Sequence, residues 1–329
     1  MAEISVQPDQ WRECMEAVES EIGRVIVGQK DAVEQMLWCI FAGGHALLEG
    51  IPGLGKTMLV RTVAETLDLS FSRVQFTPDL MPSDITGTNV MAFGSRGETS
   101  ISFQPGPLFS SIVLADEINR ATPKTQSALL EAMQEQTVTI GNTTHQLPQP
   151  FFVLATQNPI ENEGTYPLPE AQLDRFLLKI EVGYPSKDEL KEIVRRTTGA
   201  AASSVSKRAS AEQLLDIRRG VKEVLVSEDM LEYAVRLLMM THPDQPEAPE
   251  SVRKYVRYGS GPRGIQSIIS TGKVRAVSKG RMHLSTGDIR AVALPALRHR
   301  LFLNFEGQAM GVTADQLIED VLQAVEAQR

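Results

Sequence analysis

The sequence has few cysteines, no long apolar run and no surplus of positive charge, and each shortage argues against one class of protein. Only Cys14 and Cys39 occur among 329 residues, and neither lies in a metal-ligand spacing, which disfavours a disulfide framework or a zinc site and indicates a reducing compartment. No apolar stretch approaches the roughly 20 residues of a membrane-spanning helix. The net charge of −8, without a long basic block, argues against a broad nucleic-acid surface but leaves room for a local basic pore.

The first residues also lack the features of a targeting signal. Residues 1–5 contain neither a basic segment nor an apolar one, so we expect no signal peptide. With 42% apolar and 22% charged residues, the composition is that of an ordinary globular protein. We therefore expect a soluble, cytoplasmic protein without a membrane span, and the length predicts two domains.

What the sequence does contain is a phosphate-binding pattern between a strand and a helix. The segment Gly50-Ile51-Pro52-Gly53-Leu54-Gly55-Lys56-Thr57 fits Gly-x-x-x-x-Gly-Lys-Thr, with a short apolar run before it and helically spaced apolar residues after it. Glycines let backbone N–H groups turn toward an anion, and the helix dipole adds positive potential. We expect Lys56 to reach the β- and γ-phosphates of a nucleotide and the Thr57 hydroxyl to help hold Mg²⁺. The expected nucleotide-binding residues here are Gly50, Pro52, Gly53, Leu54, Gly55, Lys56, Thr57 and Met58.

Two acidic residues, Asp116 and Glu117, follow a second buried strand. The apolar run Ser111–Ala115 precedes them, and in open parallel sheets ligands bind at the carboxyl ends of the strands. We expect Asp116 to hold Mg²⁺ and Glu117 to polarise the attacking water as the general base. The alternative is that the pair simply caps the helix that follows.

Three further polar residues have two interpretations each. Asn158 follows the apolar run Phe151–Ala155 and either orients the attacking water or forms a turn before a proline. Arg175, on a short polar link before a strand, either forms a salt bridge or completes another subunit's site as an arginine finger, and from spacing alone the salt bridge is favoured. Arg263 opens a later helix and either touches the γ-phosphate or is a solvated surface side chain.

The order of apolar runs predicts the fold class. Continuous apolar strands alternate with helices up to about residue 184, a pattern typical of a parallel sheet covered on both faces. After that point the pattern indicates helices only. We therefore predict an α/β fold in which an αβα nucleotide-binding sandwich over 1–184 is followed by an all-helical lid domain over 185–329.

Two segments interrupt the predicted sandwich. The first, near 77–108, contains two short β-like pieces around a turn at Gly94–Gly97, and the second, near 137–149, reads as a β-hairpin. Inserts of this length usually carry function or a partner contact.

These motifs, in this order, resemble those of the AAA+ ATPases over nearly the whole chain. Gly50–Thr57 matches the Walker A motif, and Leu114–Glu117 matches Walker B. The resemblance implies that Asn158 is sensor 1, Arg175 the arginine finger and Arg263 sensor 2.

The resemblance also extends to the segment before the phosphate loop. Val27-Gly28-Gln29 is similar to the segment that packs near the adenine in that family, so Gly28 and Gln29 join the expected nucleotide-binding residues. The implied cofactors are ATP and Mg²⁺, and the implied activity is ATP hydrolysis.

A closer resemblance is to the MoxR family. It rests on four segments, namely Leu47–Gly53, Asp116–Ala121, Ala155–Pro159 and Glu170–Phe176. The two inserts resemble the helix-2 insert and pre-sensor-1 insert of a clade that includes magnesium-chelatase motor subunits and minichromosome-maintenance helicases. Because the lid is displaced in such relatives, the resemblance leaves open whether Arg263 acts on its own site or on a neighbouring one.

The MoxR resemblance implies a function. It implies a homo-oligomeric ring, hexameric as in the family, that hydrolyses ATP and acts as a chaperone-like remodeller or activator of partner proteins or metalloenzyme complexes, often with a von Willebrand A-domain partner. The alternatives are a nucleic-acid motor related to the minichromosome-maintenance helicases and a metal-chelatase motor subunit. The net charge of −8 and the lack of an appended nucleic-acid module disfavour nucleic acid as a partner.

Overall fold

A five-stranded parallel sheet forms the centre of the molecule. The computed structural model describes residues 8–93, 99–158, 165–198 and 204–327 of the chain. Its strands are β1 Ala46–Glu49, β2 Phe71–Gln75, β3 Gly87–Phe93, β4 Thr99–Pro105, β5 Ile112–Asp116, β6 Thr137–Ile140, β7 Thr143–Gln146, β8 Phe152–Gln157, β9 Leu178–Glu181, β10 Val256–Tyr258 and β11 Phe302–Leu303. The central sheet has the order β2-β5-β8-β1-β9, and all its neighbouring strands are parallel, as predicted.

Helices surround the sheet and build most of the C-terminal part. They are α1 Pro8–Val25, α2 Lys30–Ala42, α3 Lys56–Thr66, α4 Pro82–Thr86, α5 Pro123–Glu135, α6 Glu170–Leu173, α7 Lys187–Thr198, α8 Ala211–Lys222, α9 Glu228–Met239, α10 Glu250–Tyr255, α11 Pro262–Ser278, α12 Thr286–Leu297, α13 Phe305–Ala309 and α14 Ala314–Ala327. Helices α8 and α12 begin at capping boxes, in which Ser210 and Ser285 satisfy free backbone N–H groups of the first turn. Within the described ranges, every helix is too short or too polar to cross a membrane.

The central strands bury side chains on both faces of the sheet, which explains their continuous apolar sequences. Leu48 and Leu114 pack into the cluster that contains α1, α2 and α3, whereas Leu47 and Val113 pack into the cluster on the other face, with α5. Successive residues of a strand point to opposite faces, so each strand contributes to both clusters. Burying one such side chain contributes roughly 1.5–3 kcal/mol. The sheet is therefore held in place by two apolar layers, and its polar strand ends are left at the edges.

The lid packs on the same apolar layer as the first helices. Core residues of α8, α9, α11, α12 and α14 belong to the cluster that also contains α1 and α2. The Trp11 indole N–H donates to the Asp216 carboxylate over 2.9 Å, and a Cβ on Gly220 would lie 1.9 Å from the Trp11 ring. Only glycine allows this close approach of α8 to α1. The helical lid that the sequence predicts is confirmed.

Both predicted hairpins are present at the inserts. Strands β3 and β4 pair antiparallel, as do β6 and β7, while the predicted turn at 94–97 lies outside the described residues. The Phe103 ring of β4 stacks on the His145 ring of β7 with centroids 3.9 Å apart. The two hairpins are thus in direct contact.

The structure differs from the prediction in two places. The lid is not all helical, because β10 and β11 form a small antiparallel ladder that the sequence analysis missed. The apolar pattern of Phe176–Val182 predicts the last central strand. That strand begins at Leu178 instead, because the Phe176 N–H donates to the Leu173 carbonyl in a turn. The predicted strand was therefore two residues too long at its start.

Candidate nucleotide site

The predicted phosphate loop lies between the end of β1 and the start of α3. Gly53 and Gly55 have positive φ angles of 85° and 77°, a conformation that other residues adopt only at a cost. Gly50 is needed for another reason, since a Cβ there would lie 2.8 Å from the Val182 carbonyl oxygen. The free N–H groups at the start of α3 therefore follow a loop whose turns depend on glycine, which is the arrangement that binds phosphate.

Lys56, the first residue of α3, points back into this loop. Its Nζ donates to the Gly50 carbonyl oxygen over 2.6 Å, and the side chain is half-buried. Burial lowers the pKa of Lys56, while the nearby carboxylates of Asp116, Glu117 and Glu49 act in the opposite direction. The Lys56 ammonium therefore lies within electrostatic range of both acidic residues that the sequence analysis selected.

Asp116 ends β5 and is held by two side chains from neighbouring strands. The Thr156 hydroxyl donates to its Oδ1 over 2.6 Å, and Arg73 Nη2 donates to its Oδ2 over 2.7 Å. The carboxylate is nearly buried, at 9% exposure. The sequence analysis predicted neither Thr156 nor Arg73. In the parallel register Gln75 of β2 lies opposite Asp116, and Arg73 stands two residues before Gln75 on the same strand.

Glu117 sits in a left-handed backbone conformation, with φ 56° and ψ 51°. Its N–H donates to the Thr156 hydroxyl over 2.8 Å, and its Oε2 accepts from Gln75 over 2.7 Å and from Arg120 over 3.0 Å. A non-glycine residue adopts this conformation only at a cost, and Gln29, Asp68 and Gln136 share it among the described residues. The Glu117 side chain accepts no capping hydrogen bond from the turn Ile118–Arg120, so the capping alternative is not supported.

The adenine segment predicted from the family resemblance supports the phosphate loop. The Gln29 side-chain amide donates to the Leu54 carbonyl oxygen over 2.8 Å. Gly28 has a φ of 71°, and a Cβ there would lie 2.4 Å from an oxygen of Glu189 at the start of α7. Gly28 and Gln29 therefore lie where the phosphate loop meets the first lid helix.

Asn158 follows β8. This strand lies between β1, which leads into the Walker A motif, and β5, which ends in the Walker B motif. The register pairs Ala155 with Ala115 on one side and Gln157 with Glu49 on the other. Asn158 is 6% exposed. Asn158 lies at the carboxyl edge of the sheet, as the water-orienting interpretation requires. Pro159, on which the turn interpretation depends, lies outside the described ranges.

The oxygen donors at this edge suit a magnesium ion. Mg²⁺ prefers oxygen ligands, and nucleotide sites supply one or two protein ligands while phosphates and waters supply the rest. The Asp116 carboxylate, already oriented by Thr156, and the Thr57 hydroxyl on the first turn of α3 are ligands of this type. Arg73 pairs with one oxygen of Asp116, so binding of a metal ion there would have to compete with that pair.

Comparison with known proteins gives the family. The model of the ATPase family associated with various cellular activities (AAA) matches residues 45–178, and the AAA lid domain model matches residues 249–321. The chain is 43% identical to Chaperone MoxR1 of Mycobacterium tuberculosis over 93% of its own length and 80% of that protein. It is 31% identical to Protein MoxR of Methylorubrum extorquens over 96% and 94% of the two chains. The chain belongs to the MoxR family of AAA+ ATPases.

A solved structure of another ATPase agrees with this fold. A putative ATPase from Cytophaga hutchinsonii superposes with a TM-score of 0.89 and 43% identity, covering 96% of each chain. The α/β sandwich and the helical lid described above are therefore shared with this relative.

In this MoxR-family chain, the two remaining arginines lie at the opposite end of the sheet from the phosphate loop. Arg175 precedes β9, and Arg263 begins the first turn of α11. Both line a cavity of about 280 Å³ together with His45, the residue before β1. The phosphate loop follows the other end of β1, and a strand of 4 residues is about 13 Å long.

Arg175 bonds a backbone carbonyl group rather than forming the salt bridge that sequence spacing alone favours. Arg175 Nη1 donates to the Leu130 carbonyl oxygen over 2.7 Å, and the salt-bridge interpretation finds no acidic partner for it among the described residues. The adjacent carboxylate of Asp174 pairs instead with Arg300 at 2.7 Å and, more loosely, with Arg263 at 3.8 Å. Arg263 is thus half-exposed beside an acidic residue rather than fully solvated.

Proposed function

We propose that this protein is a ring-forming, Mg²⁺-dependent ATPase that remodels or activates partner proteins. The observation that carries the proposal is the separation of its catalytic groups. Lys56, Asp116 and Glu117 meet at the carboxyl edge of the sheet, whereas Arg175 and Arg263 lie at the amino edge. A single chain therefore presents two incomplete halves of a phosphoryl-transfer site on different surfaces.

The first half binds and cleaves the nucleotide. The phosphate loop from Gly50 to Thr57, with Gly28 and Gln29 beside it, binds ATP, and Lys56 contacts the β- and γ-phosphates. Thr57 and Asp116 hold Mg²⁺, which neutralises charge on the phosphates when it is bound. Glu117 accepts a proton from the attacking water, and Asn158 orients that water.

The second half comes from a neighbouring subunit. Arg175 is separated from the loop of its own chain by about the length of β1, which exceeds the reach of an arginine side chain. A guanidinium at a neighbour's γ-phosphate would stabilise the charge that spreads over its oxygens. Arg263 lines the same cavity as Arg175, so we assign it to the same neighbouring site, acting in trans.

The work of the ring follows from its relatives. Two relatives carry chaperone or MoxR names, so we infer that the ring acts on a protein client. From the family resemblance we further propose that the ring is a cytoplasmic hexamer with a von Willebrand A-domain protein as the partner. We place the boundary between the nucleotide-binding and lid domains at 184/185, after β9. Nucleic-acid and metal-chelatase motors are not favoured by these names.

The concentration dependence of ATP turnover tests the shared site. Turnover per subunit should rise steeply with protein concentration, in parallel with ring assembly measured by sedimentation velocity in ATP. Constant turnover per subunit across dilutions at which the protein sediments as a monomer would contradict the proposal.

The remodelling role needs a separate test. The Glu117→Gln protein should retain a client in ATP and release it in ADP, because the nucleotide stays uncleaved in the first case. Equal retention of proteins in the two nucleotides would remove the support for an ATP-driven remodeller.

A further inference from the structure

The end of helix α12 lies against the segment that carries Arg175. Three consecutive residues there, Arg298, His299 and Arg300, contact residues near β9, which is an edge strand of the central sheet. This contact joins the lid to the nucleotide-binding domain along β9 and the segment just before it.

Arg300 holds the backbone on both sides of Arg175. Its Nε donates to the Asp174 carboxylate over 2.7 Å, and its Nη2 donates to the Phe176 carbonyl oxygen over 2.7 Å. Weaker bonds of 3.2 Å reach the carbonyl oxygens of Asp174 and Leu177. Arg300 is 3% exposed, so its donors compete little with water for these acceptors.

His299 adds a second anchor on the same segment. Its Nε2 donates to the Phe176 carbonyl oxygen over 3.0 Å, and the ring is 4% exposed. Burial lowers the pKa of His299 well below its usual value, so the imidazole is neutral at neutral pH. Phe176 is therefore held by two adjacent lid residues through one carbonyl oxygen.

The Arg175 side chain itself has little local support. Its guanidinium donates to the Leu130 carbonyl oxygen, and the segment 174–177 lies between the short helix α6 and β9 without sheet pairing for Arg175. A buried arginine is costly unless its donors are satisfied. Arg300 is such a buried arginine, and its hydrogen bonds satisfy its donors. All their acceptors lie in the segment 174–177, apart from the Ala296 carbonyl oxygen on α12.

We propose that Arg300 is a positioning residue for Arg175: the lid of each subunit sets the placement of the arginine that the same subunit offers to its neighbour. This inference rests on the shared site described under the proposed function. The same lid contacts its own nucleotide-binding half through Glu189 of α7, beside Gly28. Residues after β9 therefore touch both the ATP half-site, through α7, and the arginine half-site, through the end of α12, of the same chain.

Three variants separate this role from a purely structural one. Arg300→Lys keeps a positive charge but loses the fork of donors, and Asp174→Asn weakens the same contact from the other side. Arg298→Lys is the matched control, because the Arg298 side chain, 9% exposed at the end of α12, pairs with Asp315 and Glu181 rather than with 174–177. We expect Arg300→Lys and Asp174→Asn to bind ATP as the wild type does.

The expected loss is in turnover. A misplacement of about 1 Å in a catalytic group costs on the order of 10²-fold, so we expect a loss of this size in both variants and little change in Arg298→Lys. Wild-type turnover in both Arg300→Lys and Asp174→Asn would overturn the inference.

Mixing subunits gives the readout that a structural role would not move. Arg300→Lys subunits keep an intact ATP half-site, and Lys56→Ala subunits keep an intact arginine half-site with its Arg300. The reference is a mixture of Arg175→Ala and Lys56→Ala subunits, in which we expect part of the turnover to return. The mixture of Arg300→Lys and Lys56→Ala subunits should recover the same fraction of turnover. Rescue of the Arg175→Ala mixture without rescue of the Arg300→Lys and Asp174→Asn mixtures would overturn the positioning role alone. Failure of the Arg175→Ala mixture, with subunit exchange confirmed, would overturn the shared site and with it this inference.

Discussion

At the scale of single residues, the proposed ATPase activity depends on the Lys56 ammonium and the Glu117 carboxylate. Both lie at the carboxyl edge of the sheet, where Lys56 lies close enough to Asp116 and Glu117 for their charges to affect its pKa. The first residue should govern nucleotide binding and the second the cleavage step. Their substitutions therefore have different expected effects on affinity and turnover.

Lys56→Ala should weaken ATP binding by about 10- to 100-fold. A hydrogen bond to a charged group contributes about 1.5–3 kcal/mol, and each 1.4 kcal/mol is about tenfold in affinity. Calorimetric titration measures the change. Lys207→Ala, which removes an exposed lysine paired with Asp68, is the control and should bind normally. Wild-type affinity of Lys56→Ala would show that the loop does not bind the phosphates.

Glu117→Gln should bind ATP but turn it over about 10²- to 10⁴-fold more slowly, the usual contribution of a general base. The amide keeps the size of the side chain and cannot accept the proton. A coupled phosphate-release assay gives the rate, with the exposed Glu135→Gln as a control that should stay active. Near-normal turnover of Glu117→Gln would transfer the base role to another group.

A buried histidine should make the stability of the protein depend on pH. His45 is 7% exposed, its Nδ1 accepts from the Val153 N–H, and its Nε2 therefore donates to the Met133 carbonyl oxygen. Burial lowers the pKa of His45 from 6.5 to about 4. The unfolded chain thus binds a proton between pH 6.5 and 4 that the folded chain excludes, and stability falls as the pH is lowered through this window.

The size of that effect can be measured by denaturant unfolding. A shift of one pKa unit corresponds to about 1.36 kcal/mol, so His45 alone should account for roughly 3 kcal/mol between pH 6.5 and 4. His45→Gln should reduce the pH dependence of the unfolding free energy by about this amount, whereas the exposed His283→Gln should leave it unchanged. The buried His299, whose pKa is also lowered, accounts for part of the slope that remains. The same slope in both variants would contradict the assignment of the effect to His45.

Single residues divide into those that a local motif identifies and those that only the fold brings together. Lys56, Asp116 and Glu117 stand in short patterns next to apolar runs, so the sequence was sufficient to select them. Arg73 and Thr156 lie about 40 positions from Asp116 along the chain and reach it only through the parallel register of three strands. No local pattern distinguishes them from ordinary polar residues of a strand.

At the scale of elements, the lid contains an acidic residue that fixes two of its helices. Asp288, in the first turn of α12, is fully buried and accepts hydrogen bonds from Arg275 of α11 and from Arg281 and Ser285 in the connection between the helices. Burial raises the pKa of Asp288, but the hydrogen bonds from Arg281, Ser285 and Arg275 outweigh it and lower the pKa to about 2. The carboxylate is therefore charged at neutral pH and joins α11 to α12.

Asp288→Ala should destabilise the protein by about 3 kcal/mol, because it removes one partner of a buried ion pair and leaves the arginines unpaired. The free energy of unfolding in urea measures the loss. Asp229→Ala, at the exposed start of α9, is the matched control and should change stability by less than about 1 kcal/mol. Equal losses in the two variants would mean that Asp288 does not hold the helices.

Elements whose apolar pattern is continuous were predicted well, and those set by contacts between domains were not. The five central strands and the longer lid helices follow directly from apolar runs and helix caps. The start of β9 was wrong because Arg300 and His299, more than 120 residues away along the chain, bond the carbonyl groups of 174–177. The ladder of β10 and β11 joins segments of 3 and 2 residues, too short for a periodic signal.

At the scale of the whole molecule, the proposed function requires that the two halves of each active site lie on different subunits. The family and the fold follow from motifs that span most of the chain, as the sequence analysis predicted. The distance between Arg175 and the phosphate loop does not appear in the sequence, because it is set by the parallel pairing of β1 with β9, which leaves the two at opposite ends of these strands. The central claim is therefore that Arg175 acts only in a neighbouring subunit.

Mixing two inactive variants tests that claim most directly. Arg175→Ala should lose about 10³- to 10⁵-fold in turnover while it still binds ATP. Lys56→Ala should be nearly inactive, because it binds ATP more weakly and lacks the cation that stabilises charge on the β- and γ-phosphates during cleavage. In a mixed ring, some interfaces pair an intact phosphate loop with an intact Arg175, so we expect part of the wild-type turnover to return. If subunit exchange is confirmed by fluorescence transfer and the mixture stays inactive, Arg175 does not complete a neighbour's site.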